Sequence, residues 1–190
     1  MKTVLFVPGF REDINSRNYE VTLEAIKQKG YATQFVPVHW NNTILDDWVA
    51  QLQKAYNKHN PNDIILAGFS YGSLTAFMGA CIKNPFELWL FSLSPYFSDD
   101  IPALKSSWLK EIGKHRVENF SKLNFSRLAE EIKCRTLIMF GELEAQKYPL
   151  ISNRAYIANK MITNSTLVQV KNAGHDVTNP NYIDAIKKAI

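Results

Sequence analysis

The chain has 190 residues, 46% of them apolar and 21% charged, which excludes a disordered chain and suits one domain around one core. Its formal net charge of +4 comes from scattered pairs such as Lys27 and Lys29, Lys54 and Lys58, and Lys187 and Lys188, so the clustered basic stripe of a nucleic-acid partner is missing. No apolar stretch approaches membrane-spanning length, and the run after Met1 ends at Pro8-Gly9 too early for a signal-peptide core, which predicts a cytoplasmic protein without a membrane span.

Short apolar runs alternate with segments of helical period, the pattern of a parallel sheet covered on both faces. Residues 3–7 form a continuous apolar run suited to a buried strand. Tyr19, Leu23 and Ile26 mark one face of a helix that stops at Gly30, and residues 34–38 read as a second strand. Thr43-Ile44-Leu45-Asp46 reads as a capping box opening a helix that turns Trp48, Leu52, Ala55 and Tyr56 inward. A polar turn at 60–63 delivers the third strand, 64–69. The next helix follows at once, with Leu74, Phe77, Met78, Cys81 and Ile82 on one side. Cys81 and Cys134 have no CxxC or Cys/His spacing, and Cys81 reads as a buried thiol rather than a disulfide partner or metal ligand.

Strands four, five and six fall at 87–93, 136–140 and 166–170, and Asn179 with Pro180 opens a last helix with Tyr182, Ile183, Ile186 and Ile190 facing in. Residues 95–131 break the alternation. Trp108, Leu109 and Ile112 predict one short helix there, and Leu128 and Ile132 another. Phe97, Trp108, Phe120 and Phe125 make the segment aromatic. With no repeat or linker, residues 1–190 read as a single α/β domain, three layers deep, with an insertion at 95–131.

Gly68-Phe69-Ser70-Tyr71-Gly72 lies between a β-rich run and a helix-period run. A serine nucleophile needs such a sharp strand-to-helix turn to raise its hydroxyl above the sheet, and glycine two residues to either side lets backbone pass closely. A shuffled chain of this composition contains about 0.02 copies of the pattern. Phosphate-binding turns also use glycine after a strand, but neither GxGxxG nor GxxxxGK[ST] occurs here.

The serine requires a base. His175 follows the last strand directly and so emerges at the carboxyl edge of the sheet, where Ser70 also emerges. His39 follows a strand too and is the competing base. His59 ends a helix and His115 lies in the insertion between Lys114 and Arg116, which suits surface positions. An acid must orient the imidazole, and strand five is followed by Glu142 and Glu144, either of which fits; Asp176 is a weaker candidate, because adjacent residues rarely point their side chains at each other. Backbone donors for an oxyanion fall at Tyr71, after the serine, and at Phe10, in the turn after strand one.

These residues resemble the α/β-hydrolase superfamily across nearly the whole chain, least well over 95–131. The order serine, acid, histidine matches, as does the nucleophile elbow at Gly68 to Gly72. The family's acid loop, glycine and two residues before the acid, aligns on Gly141-Glu142-Leu143-Glu144 and selects Glu144, with Glu in place of the commoner Asp. Its histidine loop resembles Ala173-Gly174-His175, and its oxyanion turn aligns on Pro8-Gly9, where Pro stands for the usual His and only the backbone role transfers. The resemblance implies a six-stranded parallel sheet in the order 2-1-3-4-5-6, without the family's first two strands, and a short helical cap at the insertion.

It further implies a serine hydrolase acting on a small carboxylic ester, with Ser70, Glu144 and His175 as catalytic residues, Phe10 and Tyr71 at the oxyanion, and neither metal nor organic cofactor. Trp40, Phe97 and Trp108 are the residues expected to line the substrate site. A thioesterase or amidase with the same residues, and a binding protein that keeps the fold without the chemistry, are the competing functions.

Overall fold

The computed structural model describes residues 1–190. Six strands, β1 (Thr3–Val7), β2 (Ala32–Phe35), β3 (Ile64–Phe69), β4 (Glu87–Phe91), β5 (Arg135–Gly141) and β6 (Ser165–Val170), pair in parallel in the order β2-β1-β3-β4-β5-β6. Parallel pairing demands crossover connections, which helices supply here. They are α1 (Tyr19–Lys27), α2 (Leu45–Tyr56), α3 (Tyr71–Lys83), α4 (Ser106–Ile112), α5 (Lys114–Phe120), α6 (Phe125–Ala129), α7 (Glu142–Lys147), α8 (Pro149–Met161) and α9 (Pro180–Ala189).

Side chains alternate across each strand, so one sheet feeds two cores. Leu5, Val7, Leu66, Leu88, Leu90, Ile138 and Phe140 face α2, α3, α8 and the 95–131 segment. Val4, Phe6, Ile65, Ala67, Trp89, Phe91 and Met139 face α1 and α9. Burial on both sides is why the central strands carry unbroken apolar runs instead of an alternation with polar residues.

Several boundaries differ from expectation, each for a local reason. The second strand occupies Ala32–Phe35 rather than 34–38: Val36 still donates to the Phe6 carbonyl at 2.8 Å, and Pro37 then has no N–H with which to continue the ladder. The fourth strand ends at Phe91 because Ser92 turns to φ 53°. The capping arrangement of α2 sits one residue later than expected, with Asp47 Oδ2 accepting from the Ile44 N–H at 3.0 Å. Thr43 instead accepts from Trp48 Nε1 at 2.8 Å and donates to the His39 carbonyl.

Helices α5, α7 and α8 were not expected. In α8 the charged Arg154 is buried while Tyr156 is 53% exposed, which inverts the usual amphipathic pattern. Residues 95–131 form α4, α5 and α6 between β4 and β5. No helix is long and apolar enough to cross a membrane.

Candidate active site

Pairing of β1 with β3 sets Val7 beside Gly68, so the chain leaving β1 and the chain leaving β3 emerge together at the carboxyl edge of the sheet. Ser70 occupies the β3–α3 junction with φ 57° and ψ −120°, outside the regions L residues ordinarily adopt. Its two flanking glycines permit this. A Cβ on Gly68 would lie 2.1 Å from the Gly72 carbonyl oxygen, and one on Gly72 would lie 2.2 Å from that of Val7. The Ser70 N–H donates to the Phe91 carbonyl at 2.9 Å, fixing the turn to β4.

His175 arrives from the loop after β6, and its Nε2 is 3.1 Å from Ser70 Oγ. Its Nδ1 is hydrogen-bonded to Glu144 Oε1. A carboxylate at Nδ1 draws the ring proton to that nitrogen and leaves the Nε2 lone pair for the serine. Glu144 is 1% exposed and stands in the first turn of α7, where its Oε2 accepts from the Gly141 N–H at 2.8 Å and from Ser92 Oγ at 2.9 Å. Glu142, the other carboxylate considered, turns away and accepts from the Asn172 N–H at 3.0 Å, bracing the loop after β6.

Behind Glu144 stand Ser92, which no local signal marks, and Tyr182, one of the residues that the last helix is expected to turn inward. The Tyr182 hydroxyl lies 3.3 Å from Ser92 Oγ and 3.1 Å from the Met139 carbonyl oxygen. Complete burial, together with the Glu144 charge, raises this phenol well above its ordinary range, so it keeps its proton and acts as a donor. The imidazole itself rests against Phe69 at 4.7 Å and Tyr148 at 6.2 Å between ring centroids.

Ser70 and His175 open onto a cavity of about 340 Å³, whose walls include Phe10, Tyr71, Tyr96, Trp108, Tyr148 and Ile151. The N–H groups of Phe10 and Tyr71 make no hydrogen bond within the chain. Their rings stack at 4.7 Å, and burial, then the neighbouring Tyr96, raises the Tyr71 phenol far above its ordinary value, so it stays neutral. Glu111, at the exposed end of α4, is the one carboxylate on the wall.

Of the three aromatic residues expected to line a substrate site, the structure brings only Trp108 to the cavity, 5.7 Å from Tyr148. Trp40 is buried behind Phe10, 5.6 Å from that ring and 4.8 Å from Trp48. Phe97 is fully buried between Phe77 and Phe125. Both pack the 95–131 segment and the loop after β2 onto the sheet. Tyr148, which does line the cavity, stands only four residues beyond Glu144; its place in the chain was the available signal.

The remaining histidines lie off the cavity wall. His39 is exposed and its N–H donates to Gln51 Oε1 at 2.8 Å, His59 pairs with Gln34 at 2.9 Å, and the His115 side chain is 91% exposed. No three His, Cys, Asp or Glu side chains are arranged to hold a metal ion.

This sheet order, with a serine at the strand-to-helix turn and a histidine after the last strand, defines the α/β-hydrolase fold. Among solved structures, Est1E from Butyrivibrio proteoclasticus with ferulic acid bound superimposes with a TM-score of 0.81 at 15% identity, covering 100% of this chain and 86% of that one. A bromoperoxidase from Bacillus anthracis gives 0.72 at 16% identity, covering 99% and 90%. The thioesterase domain from the curacin biosynthetic pathway gives 0.70 at 13%, covering 98% and 90%. No protein-family model and no curated protein sequence matches the chain. The chain therefore has the α/β-hydrolase fold, shared with enzymes of several activities.

Proposed function

We propose that the chain is a serine hydrolase that cleaves small carboxylic esters through an acyl-enzyme on Ser70. The observation that carries this reading is the continuous hydrogen-bonded path from Ser70 Oγ through His175 to the buried Glu144, opening on a cavity. Residues 95–131 act as a small cap over that cavity, to which they contribute Pro95, Tyr96, Trp108, Glu111 and Ile112.

Ser70 Oγ attacks the ester carbonyl carbon while His175 Nε2 takes its proton; Glu144 holds the imidazole and stabilises its cation. The carbonyl oxygen becomes an oxyanion and receives the N–H groups of Phe10 and Tyr71. Collapse breaks the bond to the alkoxide, which leaves with the proton from His175. Water, deprotonated by His175, then attacks the acyl carbon, and Ser70 departs with that proton as the acid is released. These steps draw only on side chains and amides of this chain.

The aromatic wall favours a short or flat aromatic acyl group, in keeping with a cavity of about 340 Å³. The ferulic acid bound to Est1E is one such aromatic acid. A thioester is the second reading, because the same attack expels a thiolate as well as an alkoxide and a thioesterase domain shares the fold.

A fluorophosphonate probe tests the nucleophile: labelling that is lost in Ser70→Ala is the expected result, and a wild-type chain that takes no label sinks the reading. A panel of p-nitrophenyl esters run beside acyl thioesters, each at several acyl lengths, separates the two leaving groups.

A further inference from the structure

The turn carrying the Phe10 amide and the loop carrying His175 are tied together by one side chain outside both. Tyr19, fully buried at the start of α1, accepts at its hydroxyl from the Gly9 N–H at 3.0 Å and donates to the Glu12 carboxylate. Burial first, and then Glu12, raise the Tyr19 phenol well above its ordinary value, so it retains the proton that it donates. Glu12 folds back over Gly9, and its own N–H donates to the Gly9 carbonyl at 3.1 Å, closing the turn that presents Phe10. The other carboxylate oxygen pairs with Arg17 Nε.

Arg17 then reaches across to the other loop. Its Nη1 donates to the His175 carbonyl at 3.3 Å, and its guanidinium lies 5.5 Å from the Phe69 ring, which itself contacts the His175 imidazole at 4.7 Å. A planar guanidinium can serve two acceptors at once in fixed geometry, which a lysine ammonium on its flexible stem does not reproduce. Residues 10–18, which contain Arg17, belong to no helix or strand; local turn bonds such as Ser16 N–H to the Asp13 carbonyl shape the segment, and the Arg17 bonds tie it to the His175 loop.

We propose that Arg17 is a positioning residue that holds the Phe10 amide and the His175 loop in fixed register through Glu12 and the His175 carbonyl. The inference rests on the serine-hydrolase reading above. An oxyanion donor works only within a few tenths of an ångström of the developing charge, and a displacement of the order of 1 Å costs about 100-fold in rate. Loss of one tether on a turn that keeps its Tyr19 bond moves the donor by less. Arg17 therefore acts on kcat and on transition-state affinity, with substrate affinity left to the cavity wall.

The test compares wild type with Arg17→Met, Arg17→Lys and Glu12→Gln in p-nitrophenyl ester hydrolysis, with active sites counted by fluorophosphonate titration. Counting sites removes any loss of folded protein, so a merely structural arginine leaves kcat per titrated serine unchanged. Arg17→Met is expected to lower kcat per site by at least threefold with KM within twofold. The inhibition constant of a trifluoromethyl ketone, which mimics the tetrahedral intermediate, is expected to rise by the same factor, and Arg17→Lys to recover part of both. Glu12→Gln removes the charge and one of the two acceptor oxygens of the same bridge, and reads the effect should Arg17→Met fail to fold. A loss below threefold in kcat per site overturns the proposal. A wild-type chain that neither turns over an ester nor takes the fluorophosphonate label removes the hydrolase reading and the clamp with it, whereas an active wild type with unaffected variants removes the clamp alone.

Discussion

Ser92 and Glu144, 52 residues apart in the chain, meet through a 2.9 Å hydrogen bond from the serine hydroxyl to the carboxylate. A buried carboxylate is costly unless its lone pairs are taken up, and Glu144 has three donors: Ser92 Oγ, the Gly141 N–H and His175 Nδ1. Two of them point its free oxygen at the imidazole. Glu142 has a different task, since it holds the Asn172 N–H. Glu144→Gln is expected to lower kcat by about 1,000-fold or more, because an amide no longer stabilises the imidazolium, while Glu142→Gln stays within about twofold. Ser92→Ala removes one donor and is expected to cost about 2 kcal/mol of unfolding free energy. Steady-state kinetics on a p-nitrophenyl ester and urea denaturation read the two effects. A kcat loss of that size in Glu142→Gln with none in Glu144→Gln would reassign the acid.

Trp108 from α4 and Tyr148 from the turn between α7 and α8 meet at 5.7 Å beside His175 and close one side of the cavity. Neither ring lies on the Ser70–His175–Glu144 path, so truncation should enlarge the site and leave the proton path in place. Trp108→Ala is expected to raise KM for short acyl esters by about tenfold, the worth of about 1.4 kcal/mol of lost contact, and to improve turnover of longer acyl chains relative to short ones. Trp40→Phe and Phe97→Leu, which present no surface to the cavity, are expected to leave the acyl-length preference unchanged. The profile of kcat/KM against acyl length in the four proteins decides it.

The parts of this molecule legible in the sequence are those whose signals are local. The Ser70 turn and the His175 loop each follow directly from a strand, so strand recognition alone carried both to one edge of the sheet. The amides of Tyr71 and Phe10 stand in the turns after β3 and β1 for the same reason. Contacts between distant segments were not legible. Nothing near Ser92 marks it as a partner of Glu144, and nothing near Phe97 distinguishes an aromatic residue filling the core from one facing the cavity. Helix α8 escaped because Arg154 lies on its buried side, where periodicity calls for an apolar residue. The apolar signal of the second strand continues through Val36 and Val38, past the point where Pro37 ends the hydrogen bonding, so the sequence pattern alone sets the strand two residues late.

Burial pushes the Cys81 thiol up to about 12 and the Cys134 thiol to about 11, against an ordinary value of 9.0. Both shifts have the same sign. The unfolded chain gives up these protons at lower pH than the folded one, so the associated stability is intact below about pH 9 and is lost as pH rises toward 11 and 12. The thermal midpoint is expected to hold level from pH 7 to 9 and then fall, and to fall less steeply in Cys81→Ala/Cys134→Ala. Native thiols should also alkylate with iodoacetamide at pH 8 about 100-fold more slowly than the same thiols in urea, since only the thiolate reacts. Rapid native labelling at the half-buried Cys81 would contradict the upward shift of its thiol.

Asp100 and Arg154 join the 95–131 segment to α8 in a buried ion pair, with side chains 5% and 1% exposed. Arg154 Nε donates to Asp100 Oδ2 at 3.0 Å, and the guanidinium lies 5.0 Å from Phe97 and 4.4 Å from Phe125. Asp100 also accepts from the Phe97 N–H at 3.1 Å. Arg154 Nη2 also donates to the more exposed Asp99 Oδ2 at 2.8 Å, which remains as a counter-charge, so Asp100→Ala is expected to cost about 1.5–3 kcal/mol in urea denaturation, the worth of the lost charged hydrogen bonds. The double variant Arg154→Met/Asp100→Asn removes both charges and keeps an acceptor for Phe97, and so is expected to recover most of that loss. The same pair bears on the cavity: Arg154 lies one turn of α8 beyond Ile151, which lines the cavity. Asp100→Ala should therefore loosen the wall as well as the fold, seen as a raised KM with kcat per titrated serine retained. A variant whose KM and stability both match wild type would show that packing around Phe97 and Phe125 holds the insertion without the ion pair.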